Sequence, residues 1–208
     1  MNYRLVLFDF DGTLADSYPL FMDLLNALAA EFGFRRMEEH EVDSLRGVGA
    51  RQVARHLGVP MWKMPSIARS MRQRVSEVID QVSLFDGVDS LLQRLSSRGI
   101  AVAVVTSNSE ENVRRALGPE NASLIDYYEC SVSVFGKRAA LRRALKRSGI
   151  PAHEALYVGD EIRDLEAARR AGVPFAGVSW GYTRPEALRE HSPVAVFATV
   201  EELADRLT

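Results

Sequence analysis

The chain has 208 residues, 47% of them hydrophobic and 26% charged, and its 26 basic and 28 acidic side chains leave a net charge of −2. That is enough chain for one good-sized core and a second small module, with the composition of an ordinary globular protein. No run of Lys or Arg forms a nucleic-acid footprint, no apolar stretch is long enough to span a bilayer, and the single cysteine, Cys130, excludes an intrachain disulfide.

The N-terminus runs straight into a strand without the basic-then-apolar pattern of a secretion signal, which with the lone cysteine predicts a cytoplasmic protein. Residues 5–10 are an apolar run of β-formers bounded by Gly12 and read as a buried strand. Asp9 and Asp11 stand at its end, before a Gly12-Thr13 turn. Carboxylates are costly at the end of a buried strand unless used, and each can serve as nucleophile, general acid or base, or ligand of a hard cation.

After Pro19 the pattern turns helical, with Leu20, Phe21, Leu24, Leu25, Leu28 and Phe32 on one face. No strand is predicted from there to about residue 82. Short amphipathic helices punctuated by Gly47, Gly49, Gly58, Pro60 and Pro65 fill the segment. The second half alternates. A helix over 88–95 precedes a buried strand over 100–106. Ser109 caps a helix that stops at Gly118-Pro119. A strand is expected over 130–134, a helix over 137–146, a strand over 155–158 and a helix over 162–171 ended by Gly172. A strand over 175–178, a helix from Pro185, a strand over 194–197 and a helix capped by Thr199 and Glu202 complete the chain. The fold class is therefore α/β. A Rossmann-like, mostly parallel sheet with helices on both faces occupies 1–15 and 84–208, and an inserted all-helical cap domain occupies 16–83.

In an open parallel sheet, ligands sit beyond the carboxyl ends of the strands. The predicted strands bring Asp9 and Asp11, then Thr106-Ser107, then Lys137, then Asp160 and Asp164 to that rim. Four clustered carboxylates repel unless a cation sits among them, and an all-oxygen set favours Mg²⁺. A lysine and a hydroxyl beside that ion suit the oxygens of a transferring phosphoryl group.

These four motifs, in this order, resemble the haloacid dehalogenase superfamily. The helical insert after the first motif resembles its small helical-cap subgroup, which includes phosphoglycolate phosphatases, and the likeness covers essentially the whole chain. The resemblance implies a Mg²⁺-dependent phosphatase of a small phosphomonoester, phosphoglycolate-like or a sugar phosphate, working through an aspartyl-phosphate. Asp9 would be the nucleophile and Asp11 the general acid and base. Thr106, Ser107 and Lys137 would bind phosphoryl oxygens, and Lys137 would also orient Asp9. Asp9, Asp160 and the carbonyl of Asp11 would ligate Mg²⁺, with Asp164 supporting the site.

Gly136-Lys137-Arg138-Ala139 lacks the proline that follows the lysine in many relatives, so Arg138 is an understudy for Lys137. Arg46 and Gly47, in the Arg46-Gly47-Val48-Gly49 stretch, are the candidate specificity residues of a cap loop. Trp180-Gly181-Tyr182 resembles a stretch of phosphoglycolate-phosphatase-like relatives that lines the entrance or packs. Glu161 and Arg163 are expected to face solvent or each other. Lys63, Cys130, His40, His56, His153 and His191 receive no role. A dehalogenase lacks the second aspartate, and a phosphonate hydrolase needs a cap lysine that Lys63 matches poorly. A phosphomutase of the same superfamily and a non-catalytic phospho-ligand binder remain alternatives. The partner is a small phosphorylated metabolite, with no nucleic acid and no membrane. Oligomeric state is open.

Overall fold

The structure, a computed structural model, describes residues 3–46, 50–133 and 136–208. Its central strand is β1 (Leu5–Phe8), fully buried along its length, as expected of a strand covered on both faces. Alternation splits its side chains. Val6 and Phe8 join the apolar cluster beneath α5 (Val88–Ser97), α6 (Glu110–Ser123) and α10 (Val200–Leu207). Leu5 and Leu7 join the opposite cluster beneath α7 (Lys137–Ser148) and α8 (Ile162–Ala171). Each such buried side chain stabilises the fold by roughly 1.5–3 kcal/mol.

Around β1 lie β4 (Ala101–Val105), β5 (Tyr127–Glu129), β6 (Ala155–Gly159), β7 (Phe175–Val178) and β8 (Ala195–Phe197), in the order β5-β4-β1-β6-β7-β8. Every neighbouring pair is parallel, with Phe8 level with Val104 on one side and Val158 on the other. The chain builds outward from β1 to β5, then crosses back to β6 and builds the other way. The reversal beside β1 is where an open α/β sheet offers a crevice.

A second, two-stranded sheet pairs β2 (Ala15–Asp16) with β3 (Ser83–Leu84), antiparallel. It ties together the two passes of chain that lead into and out of α1 (Tyr18–Phe32), α2 (Glu39–Leu45), α3 (Ala50–His56) and α4 (Met64–Val78). These helices share their own cluster, with Leu28 and Leu57 at its centre. A short α9 (Pro185–Arg189) follows β7. Among the described residues no helix is long and apolar enough to cross a membrane.

Two expectations need correction. The strand expected over 130–134 lies instead at β5, where Tyr127, Tyr128 and Glu129 pair with Ala103, Val104 and Val105. Glu129 hid it: the carboxylate is 6% exposed because Arg143 and Arg147 of α7 pair with it, and sequence periodicity counts it as polar. The chain then turns at Ser131, whose φ is +55°, and residues 134 and 135 lie outside the described set. The helix expected to stop at Gly118 does break there (φ +72°, ψ +166°), but Pro119 starts a further helical turn that runs to Ser123.

Candidate active site

The sheet's carboxyl edge places the chemistry. Asp9 follows β1 directly, is 2% exposed, and its N–H donates to the Val158 carbonyl of β6 at 2.9 Å. One carboxylate oxygen accepts from the Phe10 N–H at 2.8 Å, and the other accepts from Lys137 Nζ. The same ammonium donates to Asp164 Oδ1 at 2.5 Å. Lys137 opens α7 and is 3% exposed, whereas Arg138 is exposed, so the lysine rather than its neighbour reaches the site.

Asp164 sits in the first turn of α8. Its Oδ1 also accepts from the Tyr157 hydroxyl at 3.1 Å and its Oδ2 from the Glu161 N–H at 3.2 Å. Asp160, fully buried, follows β6 directly. Its two oxygens accept from the Thr13 hydroxyl at 3.0 Å and the Tyr182 N–H at 2.7 Å. Carboxylate oxygens of Asp9, Asp160 and Asp164 lie within 4.8 Å of one another.

This crowding shows in the titration of the groups. Burial pushes Asp9 up to about 8, with Lys137 opposing and Asp164 adding to the rise. Burial, then the charges of Glu161, Asp9 and Asp164, raise Asp160 well above its ordinary range. Burial would raise Asp164 too, but Lys137 and Arg163 outweigh it and hold it low. Burial would lower Lys137, but Asp164 and Asp9 keep it charged. Lys137 bonds two of the three buried carboxylates, and among the described residues Asp160 accepts from the neutral Thr13 hydroxyl and Tyr182 N–H, so ionising all three together needs further positive charge. The donor set is all oxygen and fits a hard divalent cation bound by Asp9, Asp160 and Asp164.

The Asp11 carboxylate is not in that cluster. Burial raises its pKa, while hydrogen bonding from Ser17, the charge of Lys137 and hydrogen bonding from Asn108 oppose the shift. Thr106, at the end of β4, is fully buried and its hydroxyl accepts from the Asn108 N–H at 3.1 Å. Ser107 is exposed. Glu161 and Arg163 pair with each other. Lys63 stays among the helices, donating to the Phe32 carbonyl at 2.7 Å. Burial, reinforced by Glu110, pushes the Cys130 thiol up to about 12, which keeps it protonated and inert near neutral pH.

Arg46 does reach the core. It donates to the carbonyls of Gly181 and Tyr182 in the loop after β7. Gly47 lies outside the described residues. Thr13, Tyr157 and the Tyr182 N–H were not singled out by sequence. Thr13 had a signal, since it is the last letter of Asp-x-Asp-Gly-Thr. Tyr157 lies in an apolar strand and reads as core, and a backbone donor has no sequence signature.

A family model described as haloacid dehalogenase-like hydrolase matches residues 6–178. A phosphoglycolate phosphatase from Synechococcus elongatus is 31% identical over 204 residues, covering 98% of this chain and 96% of that protein. An N-acetylmuramic acid 6-phosphate phosphatase from Pseudomonas aeruginosa is 30% identical over 196 residues, covering 89% and 86%. Among solved structures, a haloacid dehalogenase-like family hydrolase from Streptococcus pneumoniae superposes with a TM-score of 0.84 at 18% identity, covering 100% of this chain and 99% of that one.

Proposed function

As the chain belongs to the haloacid dehalogenase-like hydrolase family, we propose that it is a Mg²⁺-dependent phosphatase that hydrolyses a small phosphomonoester through an aspartyl-phosphate on Asp9. The observation that carries this reading is the convergence of Asp9, Asp160 and Asp164 within 4.8 Å, with Lys137 bridging two of them. A divalent cation held there would neutralise the carboxylates and the phosphoryl oxygens, so that two anions can approach.

In the first half-reaction an Asp9 oxygen bonds to phosphorus and the bond to the leaving alkoxide oxygen breaks. Asp11, whose raised pKa favours its protonated form, gives its proton to that oxygen. In the second, Asp11 takes a proton from water, the water oxygen bonds to phosphorus, and the bond to Asp9 breaks to release phosphate. Lys137 holds Asp9 in line and offsets charge, and Thr106 with Ser107 takes the phosphoryl oxygens. In this reading the chain divides into a core (1–15 and 84–208) and a helical cap (16–83), which the β2–β3 pair joining the two connecting passes supports, with hinges beside that pair that let the cap close and exclude water.

The substrate is a phosphoglycolate-like acid or a sugar phosphate, matching the activities for which the two relatives are named. The test is release of phosphate from p-nitrophenyl phosphate, 2-phosphoglycolate and a panel of sugar phosphates, with Mg²⁺ and with EDTA. Turnover that needs Mg²⁺ and disappears in D9N supports the reading. No turnover on any of them contradicts it and leaves a binding role. Turnover only in the presence of a bisphosphorylated sugar makes the chain a mutase.

A further inference from the structure

Arg46 caps the C-terminus of α2, and its guanidinium crosses to the loop after β7. Nε donates to the Tyr182 carbonyl at 3.2 Å and Nη2 to the Gly181 carbonyl. Its own carbonyl accepts from the Arg184 N–H at 2.8 Å, and its Cζ stands 5.8 Å from the ring centre of Tyr18. These bonds and contacts fasten one residue of the helical segment to the core loop and to the start of α1.

The Gly181 carbonyl held by Arg46 and the Tyr182 N–H that donates to Asp160 at 2.7 Å belong to one peptide unit. A peptide unit is planar and rigid, so its two ends cannot be oriented separately. A cation on the carbonyl also polarises the amide and strengthens what its N–H donates. The approach is close enough that a Cβ on Gly181 would overlap the Asp160 side chain. The other Asp160 oxygen is fixed by Thr13, whose carbonyl accepts from Trp180 Nε1 at 3.1 Å. Ser17, at the entrance to α1, shares a 2.7 Å hydrogen bond with the Tyr182 hydroxyl, and Tyr18 meets the same ring edge-on at 5.1 Å.

We propose that Arg46 is a positioning residue for Asp160, acting through the Gly181–Tyr182 peptide. When the helical segment is seated, the peptide is held and the Asp160 carboxylate is aimed. When it lifts, Arg46 leaves and Asp160 loses a fixed donor. Seating of the segment and readiness of the metal site are therefore one event. The inference rests on the reading of Asp160 as a metal ligand.

The test is calorimetric titration of Mg²⁺ into the substrate-free protein, wild type against R46M and R46K. Methionine keeps the apolar stem and loses both donors, and lysine restores a cation without the fork. The dissociation constant for Mg²⁺ is expected to rise about 10-fold in R46M, the scale typical of a residue that orients a ligand, and less in R46K. kcat should fall by the same factor on p-nitrophenyl phosphate and on 2-phosphoglycolate, with circular dichroism unchanged. Unchanged Mg²⁺ affinity in a folded R46M overturns the inference. So does a defect confined to KM for 2-phosphoglycolate, which makes Arg46 a substrate contact. Should R46M fail to fold, R46K and R46Q carry the comparison. A wild type that binds no Mg²⁺ overturns the metal reading itself, a failure visible before any variant is made.

Discussion

The hydroxyl of Tyr157 donates to Asp164 at 3.1 Å, on the same carboxylate oxygen that takes Lys137. Tyr157 is fully buried in β6, so phenylalanine fits the space and removes only the donor. Y157F should lose about 1 kcal/mol of stability in denaturant unfolding, the net worth of one buried hydrogen bond. Phosphatase turnover should fall by about 10-fold, because Asp164 and Lys137 are then held by fewer partners. An unchanged kcat would show that Asp164 needs no help from the strand.

Lys137 stands between two carboxylates, with 4% of its side chain exposed. K137M leaves them buried and facing each other, a loss of about 3–5 kcal/mol. Chemical denaturation should show that loss together with abolished turnover. A K137M protein as stable as wild type would mean that the carboxylates are protonated when the lysine is gone, which their titration would reveal.

Gly181 and Gly12 both lie against Asp160. A Cβ on Gly12, whose φ is +76°, would fall 2.5 Å from Asp160 Oδ2. Gly181 is buried and its added Cβ would fall 2.2 Å from the Asp160 Cβ, so G181A should displace the carboxylate and remove most turnover. Because the displaced group is proposed as a metal ligand, raised Mg²⁺ should recover part of the rate. Full activity in G181A would show that the loop shifts at no cost to Asp160.

Glu41 tests pH dependence away from the site. It accepts from Arg35 at 2.6 Å and from His56 at 2.9 Å, and these partners lower its pKa from 4.5 to about 2. A depressed carboxylate stabilises the fold at pH above its unfolded pKa and stops doing so as pH falls through the folded value. Between pH 4.5 and about pH 2, wild type should lose stability more steeply than E41Q. Parallel pH–stability curves for the two would remove Glu41 from the account.

The parts of the site that sit at strand ends were legible because strand ends announce themselves. An apolar run that stops at Phe8, Val105 or Gly159 aims the next polar residue at the rim, and Asp9, Thr106 and Asp160 are those residues. Lys137 was legible for a related reason, as the first residue of a helix that follows a strand. What was hidden depends on distant chain. Glu129 reads as surface until Arg143 and Arg147 arrive from α7 to pair with it, so β5 was placed three residues late. Tyr157 is an apolar strand residue until Asp164 comes within reach. The Tyr182 N–H carries no residue signature at all, and only the close approach that Gly181 permits gives it Asp160.

The nucleophilic role proposed for Asp9 is tested most directly by trapping. A single turnover with substrate, quenched in acid and treated with borohydride, reduces an aspartyl-phosphate to homoserine at that position. The account predicts homoserine at position 9 by peptide mass spectrometry, only in the sample given substrate, and none in D9N. Substrate consumed with Asp9 unmodified at every quench time, or the label found on Asp11, Asp160 or Asp164, would contradict it.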